Sequence, residues 1–114
     1  MRRLIIAAAL VTAWAGQGLA FSDKQMNVMS HVGQVLAATK ICSKIEMSKG
    51  TVAMLLAGYG VDLGDPLVSG VIKSKITDTV DAFAGKDEDA SCAAVMFLYG
   101  PGGANVPDLL RWKN

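Results

Sequence analysis

An all-α fold, a small helical bundle of about four helices with one disulfide, is what this sequence predicts. Three observations carry that prediction. Apolar residues recur at helical spacing in four segments, and nowhere do they sustain the alternation of a half-buried strand. Most of the segments are bounded by capping or breaking residues. Cysteine occurs twice, as Cys42 and Cys92. The chain has 114 residues, 52% of them apolar and 18% charged, which suits one small domain with a true interior and excludes a disordered tail.

Residues 1–20 read as an address. Met1-Arg2-Arg3 is a basic start, Leu4 to Ala15 is a run of twelve uncharged residues, and Gly18-Leu19-Ala20 places small residues where a signal peptidase needs them. Spanning a bilayer takes about 20 apolar residues, so the run is too short for an anchor. The expectation is a signal peptide over 1–20 and a single helical domain over 21–114, exported to the periplasm with no stable membrane insertion. Removing Arg2 and Arg3 from the 11 basic residues leaves nine against ten acidic ones. A charge so close to zero points to no nucleic-acid partner and no anionic membrane.

The elements follow in order. The first helix is expected from about Asp23 to Glu46, with Val28, Val32, Val35, Leu36 and Ile45 near one face and Gly33 or Thr39-Lys40 as points where it breaks. Ser48 is positioned to cap the second, which carries Val52, Leu55 and Leu56 inward and stops at Tyr59-Gly60. Asp65-Pro66 opens the third with a capping carboxylate and a proline at the first helical position. Behind it Val68, Ile72, Ile76, Val80 and Phe83 make a stripe that ends at Gly85. Asp87-Glu88-Asp89 suits the positive end of a fourth helix, whose inner face is Cys92, Val95, Met96 and Tyr99. Gly100-Pro101-Gly102-Gly103 stops it, and Val106 to Trp112 is expected to turn back over the core. No sheet is expected. Tyr59-Gly60 and Tyr99-Gly100 hint at a repeat, but the cysteines stand at different offsets from them and the register fails.

Export gives the cysteines their meaning. In an oxidising space, an even count in a chain this short reads as a disulfide, here Cys42–Cys92. Closing a loop of that length stabilises the fold by about 4 kcal/mol on the chain-entropy estimate. A domain of this size has a total stability on the order of 5 kcal/mol, so the link decides whether it folds.

The residues that carry chemistry are few. Met26, Met29 and His31 cluster within six positions, and soft thioethers with an imidazole select Cu(I) in an exported protein. The plainer reading has both methionines filling core gaps and His31 on the surface. Gly100-Pro101-Gly102-Gly103 lacks the Gly-Lys-Ser/Thr end and the preceding strand of a phosphate loop. Asp78 and Asp81, with Asp62 and Asp65, read as solvated or capping carboxylates, and Lys75 is placed to pair with Asp78. A single histidine and no Gly-x-Ser-x-Gly turn leave no nucleophile–base pair. No cofactor, no metal beyond the copper candidates and no enzymatic activity are therefore expected.

The stretch from Cys92 through Tyr99-Gly100-Pro101-Gly102-Gly103 to Pro107-Asp108-Leu109-Leu110 resembles a group of small exported two-cysteine proteins of alphaproteobacteria that share a Tyr-Gly-Pro-x-Gly element and a closing Pro-x-Leu-Leu. The likeness runs from about Ile41 to Leu110 and implies a periplasmic address. More distantly, Cys42 and Cys92 are similar to the disulfide framework of the HdeA family of acid-stress chaperones, although Lys40 stands where that family has an aromatic residue. That resemblance implies protein clients and a role under envelope stress. The leading expectation is a non-enzymatic periplasmic protein that binds client or envelope proteins. The alternative is a small-ligand or copper carrier built on Met26, Met29 and His31.

Overall fold

Capping chemistry sets the first element. In the computed structural model, which describes residues 21–114, helix α1 spans Asp23–Ile41. The signal peptide expected at residues 1–20 lies outside the described residues. The Ser22 side chain accepts from the Gln25 N–H, and the Gln25 side chain accepts from the Ser22 N–H, closing a capping box. The helix runs unbroken through Gly33 and Thr39, contrary to the expected breaks. It also stops before Glu46, because Cys42 is extended and the chain turns there. Residues Ile45–Met47 form a strand, β1.

Helix α2 covers Lys49–Gly58 and sends Val52 and Leu56 inward. Ser48 precedes it as expected, but its side chain makes no capping bond. Helix α3 covers Pro66–Phe83, and the Asp65 carboxylate accepts from Leu67 N–H as the Asp-Pro signal requires. Helix α4 covers Glu88–Tyr99, with Asp87 accepting from Ala90 N–H. The tail then ends in a second strand, β2, at Leu110–Trp112. It pairs antiparallel with β1, Ile45 opposite Trp112 and Met47 opposite Leu110. This two-stranded sheet corrects the expectation of no sheet and of a plain terminal turn. Three-residue strands are too short for alternation to register in the sequence.

α1 is the centre of the bundle. Val28, Met29, Val32, Val35, Ala38 and Cys42 along it are buried, and α3 packs on it most extensively. The crossing of α1 and α3 depends on Gly33. A Cβ there would lie 2.6 Å from Lys75 Cβ and 3.2 Å from the Ile72 carbonyl oxygen, so only glycine lets the helices approach so closely. α4 packs on the far end of α1 through the Cys42–Cys92 disulfide, whose Cα atoms are 5.3 Å apart. Around that bond the Glu88 carboxylate accepts from Ser43 N–H and Oγ, and Lys44 pairs with Asp89. The loop after α4 folds tightly against it. A Cβ on Gly103 would meet the Leu98 carbonyl oxygen at 2.6 Å. Asp108, at φ 68°, then turns the chain so that Leu109 and Leu110 enter the core.

α3 and α4 both lie on α1, yet they scarcely touch each other. The expected α3 stripe is consequently covered at one end only: Val68 and Ile72 are buried, while Ile76, Val80 and Phe83 are half-buried.

Candidate functional site

Helical spacing puts His31 and Gln34 one turn apart on α1, facing the last turn of α4. There they meet Tyr99, which is 1% exposed. A buried tyrosine needs a partner for its hydroxyl, and this one has three. The hydroxyl donates to Gln34 Oε1, lies 2.9 Å from His31 Nδ1 and accepts from Asn105 Nδ2 at 3.4 Å. Since its one hydrogen goes to Gln34, His31 Nδ1 is the donor in that contact and Nε2 is left with its lone pair. The imidazole stands edge-on to the phenol ring with centroids 5.7 Å apart. Burial, and then the positive charge of Lys75, lower the His31 pKa below its ordinary value. Burial raises the Tyr99 pKa against the opposing hydrogen bond from Asn105.

Beside this cluster is an open cleft of about 290 Å³ between α3 and α4, with α1 as its floor. Phe83, Val95 and Leu98 supply apolar walls, while Gln34, Lys75 and Asp78 supply polar groups. The Lys75–Asp78 pairing expected from spacing does not form, since the ion pairs among the described residues are Lys44–Asp89 and Glu46–Arg111. Gln34 spends its carbonyl on Tyr99, and its amide nitrogen donates to no group among the described residues.

The copper candidates do not converge on one cavity. Met29 is fully buried, filling the core as the plainer reading has it. Met26 is 40% exposed and lines a groove with Pro66, Leu67 and Val71. His31 lines a different hollow with Asn27, Leu55 and Tyr59, and it is tied to Tyr99 rather than free on the surface. Among the described residues there is no cluster of three or more His, Cys, Asp or Glu side chains able to hold a metal ion. Asp62 accepts from Gly64 N–H and Asp65 caps α3, and Asp78 and Asp81 are exposed. No helix among the described residues is long and apolar enough to cross a membrane.

A second feature is an apolar end of the bundle. The start of α1 meets the end of α2 where Gln25 Nε2 donates to the Tyr59 carbonyl, and Met26 shares its groove with the start of α3. Met26, Tyr59 and Leu67 are exposed large apolar side chains from these segments, and Leu63 is another in the connection that leads into α3. Sequence reasoning missed this end, and it missed the Tyr99 cluster. The legible signal for the latter was a tyrosine on an inner helix face together with His31 and Gln34 on one side of α1. Compared with protein-family models, curated proteins and solved structures, the chain matches none.

Proposed function

We propose that this chain is a non-enzymatic, exported protein-binding module of the envelope, acting at most as an HdeA-like chaperone toward unfolded clients. The observation that carries the reading is the apolar end. Met26 and Leu67 line one groove, Tyr59 and Leu63 are exposed on the segments beside it, and an exposed apolar patch is the kind of surface that a protein partner covers. The disulfide supports it by holding the scaffold when acid removes carboxylate charge. Export rests on the leader at residues 1–20 and on the cross-linked cysteines, which persist in oxidising compartments.

The test is suppression of aggregation of an acid-unfolded client, measured by light scattering at neutral pH and at pH 2–3, with dye binding as a report of apolar exposure. The oxidised protein is expected to suppress aggregation. Leu63→Ser with Leu67→Ser, both at exposed positions, is expected to abolish suppression without loss of helicity. A protein inert at both pH values refutes the reading.

A further inference from the structure

The cleft between α3 and α4 has the composition of a ligand site, and its charges say which ligand. Its walls are apolar: Phe83 closes one side, and Val95 and Leu98 line the other. Ile76, Val80 and Phe83 on α3 are half-buried, and of these Phe83 lines the cleft. At the polar edge are two opposite charges that do not neutralise each other. Lys75 and Asp78 are one turn apart on α3, which separates their Cβ atoms by about 5–6 Å. Neither is engaged in an ion pair among the described residues. The base of the Lys75 side chain packs at the Gly33 crossing of α1 and α3, and Lys75 lines the cleft together with Gln34. The unused amide nitrogen of Gln34 adds a second donor on the same floor.

We infer that this cleft binds a small apolar α-amino acid. The ligand carboxylate is received by Lys75 Nζ and Gln34 Nε2, its ammonium by the Asp78 carboxylate, and its side chain by Phe83, Val95 and Leu98. An α-amino acid carries both charges on one carbon, and that is the arrangement needed to bridge an unpaired lysine and aspartate one turn apart. A simple fatty or aromatic carboxylate would satisfy Lys75 and leave Asp78 opposed. The volume of about 290 Å³ is at the lower end for ligand pockets and admits about a dozen non-hydrogen atoms. Leucine or phenylalanine fits that limit. Lys75 and Asp78 also border the groove of Met26 and Leu67, whereas Phe83, Val95 and Leu98 belong to the cleft and not to that groove.

Amide chemical shifts of the oxidised protein, titrated with L-phenylalanine and L-leucine, test it. Saturable shifts are expected at Gln34, Thr79, Leu98 and Tyr99. Lys75→Met and Asp78→Asn, each with unchanged helicity, are expected to weaken binding at least tenfold. Leu98→Trp, which fills the cleft, is expected to abolish it. Phenylpropanoate, which lacks the ammonium, and phenethylamine, which lacks the carboxylate, are expected to bind at least tenfold more weakly than phenylalanine. Absence of saturation at tens of millimolar overturns the assignment. So does binding that is indifferent to Asp78→Asn, or phenylpropanoate binding as tightly as phenylalanine.

Discussion

Two residues, Gly33 and His31, show how single positions set this structure. Gly33 is the contact point of α1 and α3, and the first atoms a methyl group would meet are the rigid base of Lys75 and a backbone carbonyl. Neither yields cheaply, so Gly33→Ala is expected to destabilise the fold by about 1–3 kcal/mol despite its higher helix propensity. Urea unfolding checks it, and a stabilised variant would mean that the helices part freely. His31 governs a pH response. Its folded pKa is below the ordinary 6.5, so between these values the unfolded chain binds a proton that the folded chain resists. Above pH 6.5 both states are neutral and the contribution is complete. As pH falls below 6.5 stability is lost, until folded His31 also titrates. Unfolding at pH 7.5 and 5.5 is expected to show a smaller drop in His31→Gln than in the parent, carboxylate effects being common to both.

At the scale of elements, the ribbon of β1 and β2 is instructive. Two strands of three residues have no independent stability in water. They exist because the tail is anchored by buried side chains and by backbone bonds on both sides: Ser48 N–H donates to the Leu109 carbonyl, Leu109 N–H to the Tyr99 carbonyl and Lys113 N–H to the Lys44 carbonyl. Leu110→Ala, at a position 1% exposed, is therefore expected to cost about 2–4 kcal/mol. Trp112→Ala, at a position 50% exposed, is expected to cost less than about 1 kcal/mol. Denaturant midpoints of the two variants measure the contrast, and equal losses would show that the ribbon rather than the core holds the tail. The same reasoning explains the end of α1. Helical periodicity continues to Ile45 and rightly marks it as core. The chain nonetheless leaves the helix at Cys42, where the bond to Cys92 and the pairing of β1 with the tail use the backbone otherwise.

For the molecule as a whole, the decisive link is Cys42–Cys92, fifty positions apart in the chain. It joins the end of α1 to the start of α4, and everything after α4 is folded back across that joint. Reduction removes about 4 kcal/mol by the chain-entropy estimate, comparable to the entire stability of a small domain. Thermal melting with and without reductant is expected to show either a large fall in Tm or loss of the transition. An unchanged melt would refute the view that the core alone is insufficient.

Much of this architecture was legible from the chain alone. Asp65-Pro66 and Asp87 announce the starts of α3 and α4, the apolar stripes name Val32, Ile72, Val95 and Tyr99 as inward, and the two cysteines name the cross-link. These are local or pairwise properties, set by backbone sterics, capping bonds and helical spacing. Tertiary structure alone decided the rest. It paired Leu110–Trp112 with Ile45–Met47, kept Lys75 from Asp78 and separated Met26 from His31. It also parted α3 from α4 and gathered His31, Gln34 and Asn105 on one hydroxyl. The physical reason is that each of these depends on where remote segments come to rest. Spacing along one helix determines which residues share a face, but only the packing of the other helices determines what that face meets.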